Sequence, residues 1–181
     1  MPTFNMRPFD TPRLHLRPLD ERDEALYCHL YTDPELMRHI AEPLAMERVQ
    51  RSFRAALKQQ STERQRWIIV EREPNLALGL LGLFVTGDSA EMGVMLLAES
   101  QGRGFATEAM AAMRDRTFKG TQVRLLWIRQ EAENEPVVGM MQRLGFEPLP
   151  PDASDPNGRR WDLSRERWAS APQVAVAHGT G

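Results

Sequence analysis

The stretch best equipped for chemistry is Glu91–Met110, EMGVMLLAESQGRGFATEAM. An apolar run passes through a short loop into Gln101-Gly102-Arg103-Gly104, and a helix-forming run follows. The first N–H groups of a helix have no partner within it and carry the positive end of its dipole. Glycines at that point let a phosphate approach the backbone, so the natural guest is a pyrophosphate. Arg103 can add charge there, or stand as a solvated surface arginine. An ordinary glycine-bearing turn would leave the same spacing. A dinucleotide fingerprint needs a third glycine, where Thr107 stands, and a P-loop needs Gly-Lys-Ser/Thr, which the chain lacks.

The elements that must hold this turn can be read from periodicity. Thr11–Leu19 alternates, with Leu14 and Leu16 on one face and Arg13, His15 and Arg17 on the other, which predicts a half-exposed strand after an irregular lead-in. Asp20 is placed to cap a helix reaching Leu30, and Asp33-Pro34 to start a short one. Glu47–Gln60 predicts a third helix with Val49, Phe53, Ala56 and Leu57 as its stripe. Arg66–Glu71, Leu78–Val85 and Glu91–Leu97, separated by turn residues, predict an antiparallel meander. A helix from the Gly-rich turn to Phe118 is expected next, anchored by Phe105, Ala109, Ala112 and Met113. Then come a strand at Val123–Ile128, a helix from Asn134 to Leu144 with Gly145 as its C-cap, and short strands at Phe146–Leu149 and Arg160–Leu163. Trp67, Trp127, Phe84 and Met95 are expected in the core, and Arg159, Arg160, Arg165 and Arg167 on a solvated face. The result is an α+β chain with a mixed, mostly antiparallel sheet, flanking helices and one parallel crossover at the Gly-rich turn. Residues 1–168 are expected to form one domain and 169–181 a disordered tail.

Composition narrows the function. The chain has 181 residues, 41% hydrophobic and 27% charged, enough for one substantial core. Its net charge of −2 argues against nucleic acid as a partner. The lone Cys28 excludes an internal disulfide and fits a reducing cytoplasm. No apolar run approaches the ~20 residues of a membrane helix, so no membrane partner is expected. No metal site is expected, and the chain is read as a monomer or homodimer.

Gln101-Gly102-Arg103-Gly104-Phe105-Ala106 resembles the Gln/Arg-x-x-Gly-x-Gly/Ala motif of the GNAT acyltransferase superfamily. Ala90–Leu96 resembles that family's fourth strand, and Asn134 with Leu144-Gly145-Phe146 its downstream Asn-helix-Leu-Gly-Phe block. The opening TPRLHLRPL with Asp33-Pro34-Glu35 resembles the RimJ/RimL branch, which acetylates N-terminal and related amines. The resemblance spans roughly Arg13 to Phe146. It implies a GNAT-like domain with acetyl-CoA as co-substrate, bound where the family's fourth and fifth strands splay apart. It matches Val94, Met95 and Leu96 to the strand along which the pantetheine lies. It matches Gln101, Gly102, Arg103, Gly104, Phe105, Ala106 and Thr107 to the pyrophosphate turn, and Asn134 to a pantetheine contact.

The chain departs from the family in its proton-transfer positions. The Ser and Tyr that serve as general acid in family branches correspond to Val137 and Met141, and a carboxylate used by some relatives corresponds to Arg129. Neither Val nor Met can donate a proton. Glu91, at the start of the family's fourth strand, is the candidate general base; otherwise it is a strand-edge carboxylate facing water. His15, His29 and His39 are further candidate bases, and Tyr27 or Tyr31 could supply an acid or simply pack. The implied activity is N-acetylation by direct attack of a primary amine on a peptide, protein N-terminus, small metabolite or antibiotic. A backbone N–H near Leu96 would hold the developing oxyanion. The empty acid positions also admit a non-catalytic acyl-CoA-binding module.

Overall fold

The computed structural model describes residues 6–131, 135–155 and 157–171. Eight strands among them form one sheet: β1 (Phe9–Asp10), β2 (Leu14–Pro18), β3 (Arg64–Glu71), β4 (Leu76–Thr86), β5 (Ser89–Leu96), β6 (Leu125–Glu131), β7 (Glu147–Pro148) and β8 (Gly158–Ser164). Their spatial order is β1-β2-β3-β4-β5-β6-β8-β7. Every pairing is antiparallel except β5–β6. The helices are α1 (Glu24–Thr32), α2 (Pro34–Met37), α3 (Met46–Lys58), α4 (Phe105–Gly120), α5 (Glu135–Arg143) and α6 (Arg165–Ser170).

The meander and the crossover through α4 stand as the alternation predicts. The lead-in does not stay irregular: Phe9 pairs with Leu16 and Asp10 with His15, adding an edge strand. The expected helix from Asp20 begins with a 3-10 turn, Glu21–Asp23, before α1. Of the expected tail, Ala169 and Ser170 belong to α6, and residues 172–181 lie outside the described residues.

Period-two alternation divides the sheet's side chains between two cores. Leu81 and Leu83 of β4, Ala90, Met92 and Leu96 of β5, and Leu126 and Ile128 of β6 pack with Phe105, Ala109 and Met113 of α4. On the opposite face Ile68, Val70 and Leu80 pack with Tyr27 and Leu30 of α1 and Val49 and Phe53 of α3. Trp67 is core as expected, and so is Trp161. Trp127, Phe84 and Met95 are only half-buried on the α1/α3 face: Met95 packs against the edge of the α1/α3 core, while Trp127 and Phe84 stand outside it. Arg165 leaves the expected solvated face and donates to the carbonyls of Phe118, Thr121 and Val123, fastening α4's end to β8.

A charged knot fixes the entry to α1. Asp23 is 4% exposed. It accepts two bonds from the Arg17 guanidinium, at 2.6 and 2.8 Å, and one from the Asp20 N–H at 2.9 Å. The bond to Asp23 pushes the Arg17 pKa up, against the effect of burial. Asp23→Ala leaves the largely buried Arg17 guanidinium only its longer contact to Asp20, at 3.3 Å, and is expected to cost about 3 kcal/mol of stability, read by urea unfolding.

Candidate active site

The parallel β5–β6 ladder has three rungs: Ser89↔Leu125, Ala90↔Leu126 and Glu91↔Trp127. Beyond Glu91 the two strands part, while β5 stays paired with β4 as far as Leu96 and β6 stays paired with β8 through Glu131. A wedge-shaped gap therefore opens inside the sheet. The Leu97 N–H donates to the Leu78 carbonyl on the β4 side, at 2.8 Å. Because peptide groups alternate along a strand, the N–H groups of Val94 and Leu96 turn to the other edge, into the gap. The Leu96 carbonyl is capped by Gln101 Nε2 at 3.1 Å.

The gap points at the start of α4. Gly102 and Gly104 have φ of 72° and 79°, in the region that disfavours a Cβ. Gly104 is the helix N-cap and brings no side-chain cap, so the N–H groups of the first turn remain available to a ligand. Arg13 joins them: a Cβ placed on Gly104 would meet its Nη2 at 3.4 Å. Its Nε donates to Glu108 at 2.7 Å and its Nη1 to the Arg103 carbonyl at 2.9 Å. Burial pushes the Glu108 carboxyl up, but the bonds from Thr11 and Arg13 outweigh it and hold Glu108 below the usual range. Arg103 is less available, being paired with Glu71 at 2.9 Å and stacked on Phe105. The Phe105 side chain is buried in the core, so only its backbone can meet a ligand, whereas Ala106 and Thr107 are half-buried at the cradle.

On the α1/α3 face, Glu91 occupies the last rung between Phe84 and Trp127. Burial raises its pKa, opposed by the charges of Arg129 and Arg160. Both arginines have carboxylate partners: Arg129 with Asp155, and Arg160 with Asp162 while stacked over Trp127 at 4.6 Å. An open depression of about 450 Å³ meets this row, bounded by Arg64, Phe84, Gly87 and Glu91. Two residues on, Gly93 faces the same way, and a Cβ there would meet nothing within 4 Å. Met95 shares that face and packs toward the α1/α3 core, while Val94 packs toward α4.

Strand rise separates the candidate oxyanion donors. At ~3.3 Å per residue, Leu96 lies roughly 17 Å from Glu91 and Val94 roughly 10 Å. A carboxylate at Glu91 can serve a centre near Val94 through one water, but not one near Leu96.

The other candidates are dispersed. Val137 is half-buried and Met141 fully buried on the α5 face that packs toward α4, so the two acid positions hold packing residues. His15 pairs with Asp10 at 2.6 Å on the far edge of the sheet. His29 lies 3.8 Å from Asp33, and His39 lies 3.4 Å from Glu131. Tyr27 is buried with its hydroxyl 3.1 Å from Ser52 Oγ. Tyr31 has its pKa raised by burial first and then by Tyr27, against the Arg66 charge. Asn134 lies outside the described residues.

Sequence reasoning missed three residues here. Arg13 reaches the cradle from across the sheet, which no local pattern announces. Arg66 and Gln130 did leave a signal, each being polar at an apolar parity: Arg66 with Ile68 and Val70, Gln130 with Leu126 and Ile128. Gln130 is 8% exposed, and its amide N and O have no hydrogen-bond partner among the described residues. It stands on β6 past the last shared rung, on the opposite wall of the gap.

The comparisons accord with this geometry. A family model described as an acetyltransferase (GNAT) domain matches residues 13–147. The curated "Uncharacterized N-acetyltransferase p20" of Bacillus licheniformis is 27% identical over 143 residues, covering 76% of this chain and 80% of that protein. Spermidine N-acetyltransferase from Vibrio cholerae, solved with CoA and spermine, superposes with a TM-score of 0.76 at 18% identity, over 88% of this chain and 99% of that one. The ribosomal L7/L12 alpha-N-protein acetyltransferase RimL, solved with CoA, gives 0.73 at 16% identity, over 85% and 95%. With most of its length matched by the family model, the splayed strands and the glycine cradle belong to one inheritance: the chain is a member of the GNAT acetyltransferase family.

Proposed function

We propose that this acetyltransferase uses acetyl-CoA to acetylate a primary amine of a peptide, protein N-terminus or small metabolite in the cytoplasm, by direct attack. The observation that carries the reading is the gap after Glu91↔Trp127, with β5 edge N–H groups leading to the uncapped start of α4. The residues fit the co-substrate. Gly102 to Thr107, with Arg13, offer N–H groups and positive charge to a pyrophosphate. The Gln130 amide, without a partner among the described residues, and the Val94 and Leu96 edge suit the amides of a pantetheine arm, and Asn134 is proposed as a further contact. The likeness of TPRLHLRPL and Asp33-Pro34-Glu35 to RimJ/RimL supports that branch.

The chemistry supplied by acetyl-CoA is a thioester carbonyl open to a neutral amine. Glu91 removes the ammonium proton, directly or through one water, above the open floor at Gly93. The Val94 N–H donates to the carbonyl oxygen as negative charge develops there. A thiol is acidic enough to leave without help from a protein acid, which suits Val137 and Met141 in the acid positions.

Four outcomes are expected. CoA raises the melting temperature of the wild type, as linkage requires, and Gly104→Glu abolishes that shift. Gly104→Ala, equally strained but uncharged, retains part of it, so thermal shift on both variants reads the charge. Glu91→Gln lowers kcat at least about tenfold with CoA binding retained. In the wild-type pH–rate profile a rising limb follows loss of the Glu91 proton, above the ordinary carboxylate range because burial raises its pKa. No falling limb is expected below pH ~9, since Tyr31 is shifted further up and stays protonated. Gly93→Val, at an unstrained strand position, leaves the melting temperature unchanged but lowers kcat/KM by roughly a hundredfold, because its side chain displaces the amine.

A further inference from the structure

Arg66 is anomalous among the arginines of the α1/α3 face. Its parity mates Ile68 and Val70 are core residues, so its side chain rises from the sheet beside the α1/α3 core. Its backbone is clamped: Gln60 accepts from its N–H at 2.8 Å and donates to its carbonyl at 3.1 Å, and the Leu19 N–H donates to the same carbonyl at 2.9 Å. The guanidinium lies over the Phe84 ring, 5.1 Å from its centroid. The Phe84 ring in turn covers Gly82, where a Cβ would meet it at 2.8 Å. Nη1 is buried without a hydrogen-bond partner among the described residues, and no carboxylate there pairs with Arg66. Arg129 and Arg160, on the same face, each hold one.

A guanidinium half out of water and lacking an acceptor costs stability, and a planar anion that takes two of its N–H groups would recover it. Arg66, Gly82 and Gly93 lie in one row across β3, β4 and β5, so about 10 Å separates the Arg66 and Gly93 backbones. The length of the arginine side chain covers much of that span. What remains is a few carbon–carbon bonds between the guanidinium and the open space over Gly93.

We infer that the acceptor is an amine carrying a carboxylate a few carbons away, its carboxylate held by Arg66 and its amine delivered over Gly93 to Glu91. The inference rests on the amine-acetyltransferase reading and deepens it by naming the substrate class. A polyamine fits less well: with Glu91 occupied by the reacting amine, its second cation would face Arg66 and Arg64 and have Glu63, at the Arg64 end of the depression, as its carboxylate. The Phe84 ring, lying over Gly82, would floor the carbon chain between the ends, and Trp127 would stand beyond Glu91 on β6.

The test compares ω-amino acids, from glycine to 6-aminohexanoate, with their carboxamides and with 1,4-diaminobutane, by acetyl-CoA consumption. At one or more chain lengths the acid is expected to exceed its amide at least about tenfold in kcat/KM, the worth of one charge-assisted bond pair. Arg66→Gln should bring the two within about twofold, with the melting temperature unchanged or higher; a merely structural arginine would lower it instead. Amides or the diamine preferred at every length, or acid and amide falling alike in Arg66→Gln, would overturn the inference and leave amine transfer standing. If no amine of any kind consumes the thioester, amine transfer itself fails. The carboxylate site is then read alone, by calorimetry of the same acids and amides on the CoA-bound protein: acid binding lost in Arg66→Gln upholds it, and no acid binding overturns it.

Discussion

The interruption of the β5–β6 ladder governs the rest of this molecule. A parallel pair must be joined by a crossover, and here the crossover is α4, which starts just past β5 and returns to β6 with 16 helical residues. Only three rungs form before the strands part. Backbone N–H and C=O groups inside a protein need partners, so strand edges opened within a sheet are a standing requirement for something to fill them. Gln101 meets part of it at the Leu96 carbonyl. The remainder, with a Gln130 amide across the gap that has no partner among the described residues, suits an extended guest rich in amide groups. The same crossover aims the start of α4 at that gap, so one topological choice sets both the slot for an arm and the cradle for its phosphates.

Much of this was legible in the chain. Alternation placed the meander, and the glycines placed the turn that opens α4, because both follow from rules a few residues long. The misplacements share a cause. Trp127, Phe84 and Met95 have the composition of a core, yet parity puts them on the α1/α3 face near the gap, where the helices cover Met95 in part and leave Trp127 and Phe84 outside their core. Which face α1 and α3 cover, and how far along the strands, depends on helix packing rather than on strand period. Arg165 looked like surface because its partners, three carbonyls, carry no residue type to recognise. Arg13 and Glu108 meet across some 95 positions, a distance no local motif spans.

The two sides of the sheet are electrically different, and the difference follows the chemistry. At the cradle, positive charge is partly neutralised: Arg13 leans on Glu108 and Arg103 on Glu71, both half-exposed and worth little as stabilisers. Their value there is orientation, since a guanidinium held by a carboxylate can still present its remaining N–H groups to a phosphate. On the α1/α3 face, the paired Arg129 and Arg160 hold down the rise that burial imposes on Glu91. Burial and these charges thus act in opposite directions on one carboxyl, with burial the larger effect.

Glu91 and Arg66 are best understood together. Each is a charged group on an apolar face with its backbone pinned by the ladder, and each is less comfortable than a hydrophobic residue in its place would be. A sheet optimised only for stability would carry aliphatic side chains at both positions, continuing the parity of Ile68, Val70 and Leu80. Retaining a carboxylate at the vertex of the gap and an unpartnered guanidinium one row away leaves two opposite charges held apart by a phenylalanine ring, with open space over Gly93 beside them. The Phe84 ring, folded over Gly82 and under Arg66, keeps them separate, and that separation makes the space between them a place for a molecule bearing both signs.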